Sequence, residues 1–362
     1  MDEAAAMKPS DRYPAILIVL AGLALGWSNP GSAQAYSSLA VGLNPLERST
    51  LIDGVILKLD QDYIYPELAK QMERAIRARN AKGEYKALTT GPELADKLTA
   101  DLREVSHDKH VWIEYRGEGA MDGPAGEPSA EQLEAMRPIV AHDNFAFDRV
   151  ERMDGNIGYL EFRAFVYPAL AADTAAAAMH FLANTDALII DLRHNFGGDP
   201  AMVAVMASYL FDERTHLNDI VLRHGDEVQQ YWTSVLPGTR FGGKKPVYLL
   251  ISHETFSGAE DFAFALKNLK RATLIGETSG GGAQPQRVFK VTEHFAMAVP
   301  FARSLSPITH TDWEGVGVTP DLTVPAAGAL NTAYRAALEN LLATADDEAR
   351  KQHWRALLEK QQ

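Results

Sequence analysis

The stretch Val247-Tyr-Leu-Leu-Ile-Ser-His-Glu-Thr-Phe-Ser257-Gly-Ala-Glu-Asp-Phe-Ala-Phe-Ala-Leu266 reads as a buried strand, a short turn, a serine and an amphipathic helix. A strand that feeds directly into a helix is the building unit of α/β folds. Ser257 stands at the junction. There the unpaired N–H groups and positive dipole end of the helix would stabilise an anion forming on a substrate carbonyl, so the serine reads as a mounted nucleophile. Ser257-Gly-Ala-Glu260 is equally a capping box, in which the serine oxygen and Glu260 satisfy exposed backbone donors.

Working outward, strands and helices alternate from Gly155 onward, which predicts an α/β core. Ile157–Phe162 and Ala187–Leu192 read as strands, with helices over Leu170–Asn184 and Pro200–Phe211. Ala272–Gly276 is a further strand, Val288–Val299 a hairpin, and Leu330–Leu358 a helical tail whose apolar positions pack on the core. On the amino-terminal side, Leu51, Ile52, Val55, Ile56, Leu59 and Tyr63 recur at helical intervals, and Glu67–Arg79 and Pro92–Val105 repeat the pattern. His110–Tyr115 alternates like a strand. The expected organisation is a leader over 1–35, a helical domain over 43–116, a linker over 117–150, a core over 151–328 and a helical tail over 329–362. The linker is marked by Gly117, Gly119, Gly123, Pro124, Gly126 and Pro128. Between Arg116 and Asn156 there is too little chain for an inserted domain of roughly 80 residues.

With 46% hydrophobic and 23% charged residues, the 362-residue chain has a globular composition. A net charge of −13 argues against nucleic acid, whose binders carry a cationic stripe. Cysteine is absent, which removes thiol nucleophiles, thiolate metal sites and iron–sulfur clusters. No His-x-x-x-His spacing suggests a metal centre, and Gly280-Gly-Gly282 lacks the Gly-Lys-Ser/Thr ending of a nucleotide cradle. No metal or cofactor is expected.

Lys8 and Arg12 precede the apolar run Ala15–Leu25, and Ala33-Gln-Ala35 offers the small residues of a signal-peptidase site. The expectation is an exported protein, periplasmic or secreted, cleaved after Ala35 and without a stable membrane span thereafter. Asp2 and Glu3 suit a leader poorly, which points to Met7 as an alternative start.

Ile189-Ile-Asp191-Leu-Arg193-His-Asn195-Phe-Gly197-Gly198 ends a buried strand in charged residues and a glycine pair. It reads as a tight strand-to-helix turn with an Asp191–Arg193 ion pair. It reads also as half of an oxyanion hole, with the N–H of Gly197 or Gly198 facing that of Gly258.

These motifs, followed by Ile275-Gly-Glu-Thr-Ser-Gly-Gly-Gly-Ala283 and Gly315-Val-Gly-Val-Thr-Pro-Asp321, occur in the order seen in the tail-specific proteases. The chain resembles peptidase family S41, in the branch related to tricorn protease and interphotoreceptor retinoid-binding protein. Tyr63-Ile-Tyr-Pro66 and His107-Asp-Lys-His110 extend the likeness from near Leu51 to about Val324. The resemblance implies an α/β (α+β) protein: a helical N-terminal domain packed on a crotonase-like β/α core, with no PDZ domain. It also implies a serine peptidase acting on peptide or protein substrates.

A serine hydroxyl needs a base. The carboxyl-terminal processing branch uses a lysine in the glycine segment after the nucleophile, and Ser279–Ala283 contains none. The other branch uses a histidine in an Asp-x-His motif, and Asp108-Lys-His110 matches it, making His110 the expected base with His107 its rival. An imidazole is neutral near pH 7 and suited to the task. The helper serine of tricorn-like members is replaced by Lys109. Glu314 is the candidate acid that orients the histidine, against a reading as a solvated loop residue. Asp321 reads as structural. Two rivals share the scaffold: a protein that binds a hydrophobic ligand or peptide without turnover, and a hydrolase of small esters or amides.

Overall fold

The computed structural model describes residues 43–117, 128–223 and 227–360. The leader and its cleavage site after Ala35 lie outside the described residues, as do 118–127 of the stretch expected as a linker over 117–150; the rest of that stretch is not plain linker but holds helix Ala130–His142 and the start of strand Phe147–Met153. Two compact units emerge, the first reaching Gln132 and drawing also on 220–228 and 284–304.

In the first unit, helices span Pro45–Asp62, Pro66–Ala81 and Gly91–Ser106. Each has proline in its first turn, where a missing N–H costs nothing. Asn44 with Glu47, and Thr90 with Glu93, form capping boxes at two of the three starts. The periodic residues Leu51, Val55 and Leu59 are fully buried, together with Met72, Ile76, Leu94, Leu98 and Leu102. Strand Trp112–Tyr115 pairs antiparallel with Phe295–Pro300, which pairs in turn with Gln286–Lys290. Strand alternation divides this small sheet cleanly. Ile113, Phe295, Met297 and Val299 join the helical core, whereas Trp112, Val288, Ala296 and Ala298 form a separate apolar cluster.

The second unit is built on a six-stranded sheet in the order Leu322–Thr323, Thr273–Gly276, Val247–Ile251, Ala187–Asp191, Ile157–Phe162, Phe147–Met153. Every pairing is parallel except the last. Val247–Ile251 and Ala187–Asp191 are buried at every position, as a sheet covered on both faces requires. Tyr159, Ile189, Tyr248, Leu250 and Ile275 pack against helices Ala326–Thr344 and Glu348–Glu359. The helical tail therefore does lie on the core, anchored by Tyr248 Oη to the Ala336 carbonyl and Trp354 Nε1 to the Gly155 carbonyl. It breaks after Thr344, and Asp347 caps the second helix through the Ala349 and Arg350 amides. Ala130–His142, Pro168–Leu182, Pro200–Ser208 and Gly258–Asn268 are further α-helices.

The α/β expectation is met, and so are the helices and the hairpin. Strands Phe147–Met153, His216–Leu222, Val228–Trp232 and Ala302–Leu305 were not anticipated. Phe147–Met153 carries four charges in seven residues and exposes one face, so it lacks the apolar run of the central strands. Among the described residues no helix is long and apolar enough to cross a membrane.

Candidate active site

Strand Val247–Ile251 ends in a turn that is locked from below. Ser252 N donates to Thr255 Oγ1, Thr255 Oγ1 donates to the Leu192 carbonyl, and Phe256 N donates to the Asn195 carbonyl. Ser257 follows with φ 54° and ψ −122°, a conformation that costs a residue with a β-carbon about 1–3 kcal/mol. Its neighbour Gly258 opens the helix Gly258–Asn268. Of the two halves of the expected capping box, Ser257 N does donate to Glu260 Oε2 at 2.9 Å. The Glu260 amide turns back on Ser257 in its turn, with the serine carbonyl oxygen at 2.8 Å, so the capping box expected from the sequence forms.

The glycine pair lies against this turn. Gly197 and Gly198 have φ of 94° and 137°, which only glycine adopts freely. A β-carbon on Gly197 would lie 2.5 Å from Gly258 N and 2.8 Å from Ser257 Cβ; one on Gly198 would lie 2.2 Å from the Phe165 carbonyl oxygen. Buried Asn195 holds the segment, donating to the Phe162 carbonyl and accepting from Gly197 N at 2.9 Å. The Gly197 N–H is thus engaged within its own loop. The Asp191–Arg193 ion pair also forms, with Arg193 Nε 2.9 Å from Asp191 Oδ1. Turn and site readings of this motif are compatible, because the ion pair and Asn195 shape the turn that carries the glycines.

In sequence Glu260 reads only as half of a cap. Its carboxylate is fully buried and accepts four bonds: Ser257 N, Ser279 Oγ at 2.5 Å, Gly281 N at 2.6 Å and Gly282 N at 2.8 Å. Burial pushes its pKa up to about 7 against the pull of those donors. The glycine segment continues to Ala283, whose N–H donates to Glu314 Oε2 at 2.6 Å. Trp313 Nε1 bonds the Gly282 carbonyl and Gly315 N bonds the Gly281 carbonyl, so the Glu314 loop is laced to the same segment. Ser257, Gly258, Gly197 and Gly198 are in mutual contact, and Glu314 is joined to the glycine segment beside them.

In the first unit, helix Gly91–Ser106 ends with His107 in the left-handed conformation, exposed, its N–H on the Arg103 carbonyl. His110 is buried. Asp108 accepts from the His110 amide at 2.8 Å and from Tyr63 Oη at 3.1 Å, and its Oδ1 lies 4.0 Å from His110 Nδ1. Burial, reinforced by the Arg103 charge, draws the His110 pKa down to about 3, while burial raises Asp108 to about 6. Sequence reading saw Asp108 as motif context and missed its place beside the ring.

Of the histidines beside the other motifs, two are tied up by carboxylates and one is exposed. His194 Nδ1 meets Glu254 at 2.6 Å, His253 Nδ1 meets Glu277 at 3.0 Å, and His310 sits in an exposed turn. Asp321 bonds the Leu274 amide and accepts Lys267 at 3.3 Å, a structural arrangement that also engages that lysine.

Residues 156–324 match the model of peptidase family S41, and residues 47–149 match the model of the N-terminal domain of Peptidase_S41 in eukaryotic IRBP. The carboxy-terminal-processing protease of Bartonella bacilliformis is 27% identical over 75% of this chain and 68% of its own. The chloroplastic carboxyl-terminal-processing peptidase 2 of Arabidopsis thaliana is 31% identical over 47% of this chain, and the match spans about a third of the relative, 32%. A solved lipoprotein structure from Streptococcus agalactiae superposes with a TM-score of 0.53 at 16% identity, covering 83% of this chain and all of that one, which shows a shared fold. The order of motifs, the sheet that carries them and the two adjoining family models lead to one conclusion: the chain belongs to the S41 family of serine-type peptidases.

Proposed function

We propose that the protein is an exported peptidase that cleaves peptide bonds through Ser257, His110 and Glu314. Ser257 Oγ attacks the carbonyl carbon as His110 takes its proton, and the oxyanion is held by the N–H of Gly258 with that of Gly198 or Gly197. Collapse expels the amine, which receives the proton from His110, and leaves an acyl-enzyme that water hydrolyses by the same steps in reverse order. Because Gly197 N already donates to Asn195, Gly198 is the better partner for Gly258.

The observation that carries this reading is the backbone of Ser257. A serine held at φ 54° at a helix start, with two left-handed glycines pressed against it, is strain stored where chemistry would use it. His110 contributes a ring kept neutral, and Glu314 and Asp108 are the carboxylates offered to its imidazolium. The relatives named for carboxyl-terminal processing suggest protein substrates, but Ser279–Ala283 has no lysine base, so the catalytic apparatus proposed is the histidine type.

The burial of His110 favours the ligand-binding alternative, because a ring that burial draws down to about 3 is a weak base. Labelling with a serine-directed phosphonate separates the two readings. Stoichiometric modification at Ser257, lost in Ser257→Ala, supports the peptidase; an unlabelled, folded protein that still binds peptide rejects it.

A further inference from the structure

We propose that Glu260 is a positioning residue, whose buried carboxylate fixes the Ser257 turn in register with the Gly281-Gly282 segment and, through it, with the loop of Glu314. The inference rests on the reading of Ser257 as nucleophile and goes beyond the triad.

The geometry is that of a four-way junction. Oε2 accepts from Ser257 N and Gly282 N; Oε1 accepts from Ser279 Oγ and Gly281 N. A carboxylate has about four lone-pair sites, and each is used. The two halves of the junction come from opposite ends of one supersecondary unit: Ser257 follows one central strand, and the glycine segment follows the next. Ser279 Oγ also accepts from Val318 N at 2.7 Å, and the Ser279 amide donates to the Val318 carbonyl. Downstream, Ala283 N reaches Glu314. One side chain therefore bridges the backbone of the nucleophile to the backbone that carries the acid. A cap needs only the Ser257 bond; the other three make no contribution to starting the helix.

Glu260→Gln is the informative substitution because it keeps size and burial. Whichever way the amide is turned, its NH2 faces a backbone N–H that was formerly accepted: Ser257 and Gly282 on one side, Gly281 on the other. Only Ser279 can rotate to accept from it. In the full chain, we expect the phosphonate-labelling rate of Ser257 to fall about tenfold or more, as misplacing a reacting group does. Amide hydrogen exchange at Gly281 and Gly282 should quicken in parallel. A role confined to stability would lower the melting temperature while leaving the labelling rate of folded protein unchanged, and that result overturns the inference. So does unchanged exchange at both glycines. If wild-type protein does not label at all, the peptidase reading fails by itself, and the exchange measurement still decides whether Glu260 holds the two segments together. Should Glu260→Gln not fold, Ser279→Ala removes one of the four donors and is read the same way, with faster exchange at Gly281 expected and its absence counting against the inference.

Discussion

Gly197 and Ser257 are packed so closely that a β-carbon on the glycine would lie 2.8 Å from the serine Cβ. The oxyanion segment and the nucleophile turn, brought from two parallel strands, are thus fitted to each other by the lack of a side chain. Gly197→Ala should force the serine aside while also straining a φ of 94°. The expected loss is about 1–3 kcal/mol in stability and about 100-fold in kcat/KM. Melting temperature and turnover of a peptide substrate measure the two, and full activity in the variant would show that the close approach is incidental.

The conformation of Ser257 makes a separate prediction in which stability and activity move apart. Alanine there keeps the β-carbon and hence the strain, whereas glycine relieves it at the cost of a more flexible unfolded chain. Ser257→Gly should exceed Ser257→Ala in stability by about 1 kcal/mol, and both should be inactive. Urea unfolding of the pair is the check; equal midpoints would mean that φ 54° is not strained in this setting.

His110 governs behaviour in acid. With a folded pKa near 3 and an unfolded value near 6.5, its contribution to stability is complete above the unfolded value. It is lost progressively as pH falls from there towards 3. Between pH 7 and pH 4.5 the wild type should lose roughly 2 kcal/mol more than His110→Gln, measured by denaturant unfolding at each pH. An identical loss in both proteins would show that the ring protonates freely when folded.

Much of this architecture was open to reading in the sequence, and the exceptions have physical causes. Leu51, Val55 and Leu59 announced a helix because burial of one face leaves a periodic trace, and Ala187–Asp191 announced a central strand because both faces are covered. Phe147–Met153 left no such trace, being a charged strand with one exposed face. The pairing of Trp112–Tyr115 with Phe295–Pro300 joins residues about 180 positions apart, and local pattern carries no record of a partner so distant. At the site, the serine and the glycines declared themselves through residue type and motif order. Glu260 and Asn195 did not, because a cap and a turn residue look the same in sequence whether they hold one bond or four.

Asp261 works in the opposite direction, with stability lost as pH rises from about 4 to about 7. It lies buried in the first turn of the helix Gly258–Asn268, and burial pushes its pKa up to about 7. A carboxyl whose folded pKa is raised gives stability that is full below the unfolded value of about 3.9 and lost as pH rises through about 7. Asp261→Asn removes the charge at nearly constant size. It should be nearly neutral at pH 4 and raise the melting temperature by several degrees at pH 8, as a gain on the order of 1 kcal/mol or more would do. Glu260, also raised to about 7, leaves a residual slope in the variant. A lower melting temperature at pH 8 would mean that the positive end of the helix stabilises the Asp261 charge by more than burial penalises it.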